Sequence, residues 1–303
     1  MIASDSSQRR HLLCFGLGYS ARVLAARLIA ARWNVRGTAR DEPSLLRFDR
    51  DHPLSSEAFA GITHILVSVP PDDTGDPVLD IHGDDFAALP GLEWLGYLST
   101  TGVYGDRGGG WVDENSELRP GGERGRRRAA AERGWLDLWR RRGVPVHLFR
   151  LAAIYGPGRS PFAALRAGTA RRIDKPGQVF SRIHVEDLAA VLAASIVRPR
   201  PGAIYNVCDD EPAPPADVIA HAAALLGLPP PPLVRFEEAG LSAMARSFWD
   251  DNKRVANRLI KEELGVRLHH PDYRAGLAAI LAAEERGPAT PLPATPPSGK
   301  FGR

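Results

Sequence analysis

The chain has 303 residues, 44% hydrophobic and 25% charged, the balance of a globular protein with room for one large α/β domain or two modest ones. A formal net charge of +3 gives no general case for a nucleic-acid or membrane partner. No run approaches the roughly 18 uninterrupted apolar residues of a membrane-crossing helix, and Met1 to Arg10 lacks a secretory pattern, so a cytoplasmic protein is expected. Cys14 and Cys208 cannot form a disulfide framework and read as buried free thiols. Of the 39 basic residues only Lys175, Lys253, Lys261 and Lys300 are lysines, so chemistry that needs a lysine has few candidates.

In chain order, His11–Gly16 is a short apolar strand that ends in glycine. Tyr19–Arg32 carries Val23, Leu24, Leu28 and Ile29 at helical spacing. Asn34–Ala39 reads as a second strand, and Ile62–Val69 as a continuous apolar strand stopped by Pro70 and Pro71. Trp94–Ser99 is another strand, Arg126–Arg142 a helix, and Val144–Ile154 and Ala203–Val207 further strands. Continuous apolar strands alternating with helices imply a parallel sheet covered on both faces. The fold class is therefore α/β, a Rossmann-type doubly wound sheet with a small C-terminal substrate lobe. Residues 8–158 hold the dinucleotide-binding core. Residues 159–286 hold the remaining sheet elements, at about 182–208, and the mixed lobe. Glu186–Val197, Ala216–Leu226, Asn252–Leu264 and Tyr273–Glu285 read as helices there. The proline-rich tail, 287–303, reads as disordered.

The segment from Leu12 to Ala21 is strand, glycine turn and helix, and it matches G-x-G-x-x-A. Gly16 permits the tight turn, Gly18 lets a pyrophosphate approach the backbone, and Ala21 lets helix and strand pack closely. Tyr19 and Ser20 open the helix, whose N-terminus offers unpaired N–H groups and partial positive charge to a phosphate. At the end of the second strand Arg40 stands where a 2′-phosphate needs a cation, and Thr38 adds a hydroxyl. That favours NADP over NAD, although Asp41 follows at once. Val69 and Pro70 end the third apolar strand at the crevice where the nicotinamide half would lie.

Later segments carry a resemblance. Ser99-Thr100-Thr101-Gly102-Val103-Tyr104-Gly105 is similar to the S-[ST]-x-x-V-Y-G segment of extended short-chain dehydrogenases/reductases, the NAD-dependent epimerase/dehydratase family. Trp111-Val112-Asp113-Glu114, Arg150 through Gly158, Arg182 through Ala189, and Tyr205-Asn206-Val207 resemble further segments of that family in the same order. The run from Asn252 to Gly265 resembles an atypical bacterial subgroup. The resemblance implies a Ser or Thr that holds the substrate oxygen, a tyrosine that exchanges its proton, and a lysine that binds the nicotinamide ribose. By position Thr100 takes the hydroxyl role, and Ser99 lies beside the cofactor.

The Tyr-x-x-x-Lys pair is missing. Counting back from Glu132, Arg128 stands at the lysine position and Arg124 at the tyrosine position. Arg128 could hold the ribose as a fixed cation, but a guanidinium does not exchange protons near neutrality. Three outcomes stay open: Tyr104 stands in as proton donor; Arg124 and Arg128 polarise a carbonyl while water supplies the proton; or the protein binds cofactor without turnover. The expected function is an NAD(P)-dependent oxidoreductase or epimerase-like enzyme acting on a small hydroxyl- or carbonyl-bearing substrate, nucleotide sugars included. The alternative is a catalytically silent NAD(P)-binding protein. His184 reads as structural, and His269-His270 has no spaced partner, so no metal is expected. Trp135 and Trp139 make a homodimer through their helix plausible, and no nucleic-acid motif appears.

Overall fold

The structure, a computed structural model, describes residues 10–286, so the expected disordered tail lies outside the described residues. The first half runs β1 (His11–Phe15), α1 (Tyr19–Ala30), β2 (Asn34–Ala39), β3 (Leu46–Arg47), β4 (His64–Val67), α2 (Pro77–Ala88), β5 (Trp94–Thr100), β6 (Trp111–Val112) and α3 (Glu123–Arg142). There follow β7 (Val146–Leu151), β8 (Ala153–Tyr155), α4 (Phe162–Arg166), β9 (Arg172–Asp174), β10 (Arg182–His184) and α5 (Val185–Val197). The last elements are β11 (Ile204–Val207), α6 (Pro215–Leu225), β12 (Leu233–Arg235), α7 (Ala243–Ser247), β13 (Arg254–Val255), α8 (Arg258–Glu262) and α9 (Tyr273–Glu285).

Seven strands form one parallel sheet in the order β11-β7-β5-β4-β1-β2-β3. The sheet is buried on both faces because successive side chains of a strand point to opposite sides. Leu12 and Cys14 of β1 and Leu66 of β4 join Leu24 and Leu28 of α1 and Leu188 and Leu192 of α5 in one core. Leu13 and Phe15, with Ile65 and Val67, face the other way and pack with Val78 and Phe86 of α2 and Trp135 of α3. That is why these strands read as unbroken apolar runs. The chain crosses from β3 at one edge to β4 beside β1, so β1 and β4 flank the topological switch point, where ligands of open α/β sheets sit.

Smaller parallel pairs, β8–β10, β9–β12 and β6–β13, extend from the ends of the sheet into a second lobe. Its core brings together Tyr155, Phe162, Ala222, Tyr273 and Leu277 from β8, α4, α6 and α9. The expected helix over Asn252–Leu264 is corrected here. Arg254 and Val255 pair with Trp111 and Val112 as β13, and only Arg258–Glu262 is α-helical. Tertiary pairing with a segment 143 residues earlier overrides the local helical spacing. Both cysteines are buried and free, as expected. Burial pushes the Cys14 thiol up to about 12.

Candidate functional site

The glycine turn sits at the carboxyl end of β1. Gly16 has φ +84°, and a Cβ there would meet Ser68 Oγ at 2.7 Å, so both conformation and space require glycine. Ser68 Oγ donates to the Gly16 carbonyl at 2.5 Å and fixes the turn against the end of β4. Gly18 is the N-cap of α1, and no side chain caps that helix. A Cβ on Gly18 would meet no atom within 4 Å. The turn therefore presents an open cradle in front of an uncapped helix start, the arrangement that receives a phosphate. Ser20 is buried in the first turn of α1. Tyr19 does something the sequence did not suggest: its hydroxyl donates to the Pro157 carbonyl at 2.9 Å, and the Arg159 guanidinium lies 4.4 Å from its ring centroid. It thereby ties the turn to the loop after β8.

At the end of β2 the two candidate NADP readers part. Thr38 is fully buried, and its Oγ1 accepts the Gly16 N–H at 3.0 Å. It shapes the turn and cannot reach a 2′-phosphate, which corrects the expectation. Arg40 lies exposed just beyond the strand and makes no hydrogen bond or ion pair with any described residue. Glu42 is instead taken up by Arg22 of α1 at 2.5 Å. Val69 is half-buried against Gly16, and Pro70 is exposed beside it.

The end of β5 carries the residues from which the chemistry was expected. Thr100 is half-exposed, and its Oγ1 accepts the Gly102 N–H at 3.1 Å, leaving its own O–H to donate. Ser99 is buried and donates to Glu132 Oε1 at 2.5 Å, so it belongs to the interior and does not face a cofactor. Glu132 is the partner of Arg150 in a buried ion pair of 2.8 Å. Arg150 also donates to the Tyr104 hydroxyl at 2.9 Å, and that hydroxyl donates to Asn206 Oδ1 at 2.7 Å. Tyr104 is wholly buried, and burial pushes its hydroxyl up to about 12. Its only proton is committed to Asn206. The expected stand-in donor is therefore a member of the internal Ser99–Glu132–Arg150–Tyr104–Asn206 network, with no access to substrate.

The two arginines of α3 behave differently. Arg124 is exposed and lies 5.1 Å from the ring centroid of Phe248 in the second lobe. Arg128 is half-buried; its Nη1 donates to the Tyr97 hydroxyl at 3.0 Å and to the Leu98 carbonyl at 2.8 Å. Its Nε and Nη2 hydrogens have no partner among the described residues. Sequence reasoning missed Asp76, the N-cap of α2, which accepts from Trp135 Nε1 at 3.2 Å and whose carboxyl is pushed up by burial while nearby Arg128 opposes the rise. The one signal for Asp76 was its place just before Pro77 at a helix start. Lys253 arrives on the run into β13, buried, and is spent on Asp251 at 2.9 Å.

In the second lobe a cavity of about 270 Å³ is lined by Tyr155, Arg171, Arg182, Trp249, Tyr273 and several aliphatic side chains. Of its lining, Tyr155 and Arg182 fall in segments that carry the family resemblance, and nothing in the sequence joins them into one cavity. His184, Glu186 and His270 also come together, each offering a ligand atom within 4.8 Å of the others, so His270 does find partners that the sequence hid. His184 caps α5 by accepting the Glu186 N–H on Nδ1 at 3.3 Å, which places its ring hydrogen on Nε2. Neither ring nitrogen then offers a lone pair to an ion. Asp187 holds this corner by accepting the backbone N–H groups of His269 and His270 at 2.8 and 2.9 Å.

Trp135 is fully buried and stacks on Phe86, with ring centroids 6.2 Å apart. Trp139 packs over Gly202. The outward face of α3 carries Arg126, Arg133, Arg140 and Arg141, all exposed, so the helix presents like charges where a tryptophan seam was expected. Among the described residues no helix is long and apolar enough to cross a membrane.

No protein-family model matches the chain. The fold matches that of dTDP-glucose 4,6-dehydratase from Bacillus anthracis, solved with NAD, at a TM-score of 0.75 and 16% identity over 92% of this chain and 97% of that one. Protein YeeZ of Escherichia coli K12 is 28% identical over 285 residues, 85% of this chain and 95% of its own. A functionally unknown conserved protein from Silicibacter pomeroyi is 54% identical, with a TM-score of 0.84 over 90% of this chain and 98% of that one. The chain has the fold of the NAD-dependent epimerases and dehydratases, and within it belongs to the same family as the conserved Silicibacter pomeroyi protein.

Proposed function

We propose that the chain binds a nicotinamide dinucleotide across the ends of β1, β2 and β4, and works as an NAD(P)-dependent oxidoreductase or epimerase-like enzyme on a small hydroxyl- or carbonyl-bearing substrate. The observation that carries this reading is the open cradle at Gly18 before the uncapped start of α1, at the switch point of the sheet. The residues present fit the group. The first backbone N–H groups of α1 would meet the pyrophosphate, and Arg40, which has no partner of its own, would meet a 2′-phosphate and favour NADP. The dehydratase of like fold was solved with NAD, which agrees with a nicotinamide cofactor in general.

Bound there, the nicotinamide would supply hydride transfer. Thr100 would donate its hydroxyl proton as a hydrogen bond to the reacting oxygen. Arg128 would hold the ribose with the N–H groups that Tyr97 and Leu98 leave over. Arg124, at the mouth of the second lobe, would supply fixed positive charge to a carbonyl oxygen gaining negative charge. With Tyr104 sealed, the proton would come from water.

The burial of Tyr104 also favours a second reading, a silent cofactor-binding protein, because the side chains placed above at this crevice, Thr100, Arg124 and Arg128, do not exchange protons near neutral pH and Tyr104 is pushed up to about 12. One experiment separates the two. Purified protein is titrated with NADPH and NADH and then given a panel of aldehydes and ketones, and NADPH absorbance is followed. Binding with turnover supports the enzyme, binding without turnover supports the silent reading, and no binding ends both.

A further inference from the structure

We propose that the cavity in the second lobe seats a small aromatic carboxylate, its ring against Tyr155, Trp249 and Tyr273 and its carboxylate on Arg182. This names a substrate class for the oxidoreductase reading above and rests on it. Arg182 is the anchor. Its Nη1 is spent on the carbonyls of Phe180 and Ala213, at 2.7 and 3.1 Å. The Nε and Nη2 hydrogens, the edge that grips a carboxylate in a bidentate fork, have no partner among the described residues. Among the described residues no carboxylate forms an ion pair with it, Asp209 acting only from a greater distance. The buried guanidinium of Arg150, by contrast, is neutralised by Glu132 at 2.8 Å. An unpaired charge among apolar walls gains more from an arriving anion than an exposed one does.

Asp209 is the acidic group closest in influence to Arg182. It is 1% exposed, and neither of its oxygens has a hydrogen-bond partner. Burial holds its carboxyl largely neutral, so it does not cancel the arginine. Arg171 adds a second cation at the wall, tied to the carbonyls of Ala239 and Gly240. The volume decides between ligands. A cavity of ~150 Å³ takes a benzene ring, so about 270 Å³ holds a ring with a short acidic side chain. A whole nucleotide sugar would extend beyond it.

The test uses the full chain without cofactor, titrated with trans-cinnamate, with cinnamyl alcohol (the same skeleton without the charge) and with UDP-glucose, followed by calorimetry. Cinnamate should bind one per chain, at least tenfold tighter than the alcohol, and UDP-glucose should not displace it. Arg182→Gln should abolish the preference for the acid, while Trp249→Leu should weaken acid and alcohol alike. Equal binding of acid and alcohol, displacement by UDP-glucose, or an unchanged preference in a folded Arg182→Gln chain would overturn the proposal. If Arg182→Gln fails to fold, the acid-to-alcohol ratio in the unaltered chain decides alone. NADPH titrated separately into the same sample shows whether the oxidoreductase reading has failed instead.

Discussion

Replacing Gly18 with serine should move stability and cofactor binding in opposite directions. The site has φ −88° and ψ −162°, extended backbone open to any residue, and a Cβ there meets nothing within 4 Å. The fold therefore has no steric objection. Gly18 is also the N-cap of a helix with no side-chain cap. A serine oxygen can accept an N–H from the first turn of α1, and serine exceeds glycine at this position by a few tenths of a kcal/mol. The free protein should melt at the same temperature or slightly higher. The same side chain occupies the cradle and takes an N–H group that the pyrophosphate needs. A hydrogen bond to a charged group contributes roughly 1.5–3 kcal/mol, so losing one should weaken NADPH binding by about 10- to 150-fold. Thermal unfolding without cofactor and a fluorescence titration with NADPH measure the two effects. If Gly18→Ser binds NADPH as well as the unaltered chain, the assignment of this turn to the pyrophosphate is wrong. If it unfolds the protein, the account of the helix start is wrong.

Glu132→Gln should destabilise the fold by about 3–5 kcal/mol in urea denaturation, because it leaves Arg150 as a buried charge without its partner; a loss below ~1 kcal/mol would contradict that. Tyr104→Phe should cost roughly 1–3 kcal/mol through the orphaned Arg150 and Asn206. It should leave the pH profile of any detected turnover unchanged, and a lost basic limb in that profile would restore Tyr104 as the proton donor. Asp209 is raised by burial to about 8 from 3.8, so the folded state holds a proton that the unfolded chain has already lost. Its stabilising effect is complete below about pH 4 and is lost as pH rises to about 8, by up to ~1.4 kcal/mol per pH unit. Asp209→Asn should flatten that slope in urea titrations between pH 5 and pH 8, and an unchanged slope would refute the assignment.

The sheet was legible because its strands are buried on both faces, which makes Leu12–Phe15 and Ile65–Val67 continuous apolar runs. The glycine turn was legible because its function demands particular residues at fixed spacing. What stayed hidden depends on direction and on distant partners. Nothing local says that Tyr104 turns inward, since Asn206 lies 102 residues away. Thr38 carries the right hydroxyl at the right end of β2 but spends it on Gly16. Two tryptophans one helical turn apart read as seam or core, and the stacking of Phe86 on Trp135 places that one in the core while Trp139 is half-buried. The cavity draws its walls from β8, β9, β10, α6, α9 and the segment before β13, so no single motif could mark it as a whole.

The most direct measurement is a crystal structure of the protein soaked with NADPH. The account predicts density for one dinucleotide, with its pyrophosphate over Gly18 at the start of α1, its 2′-phosphate on Arg40 and its nicotinamide ribose within reach of Arg128. Absence of density at saturating NADPH, or a dinucleotide bound away from the ends of β1 and β4, would contradict it.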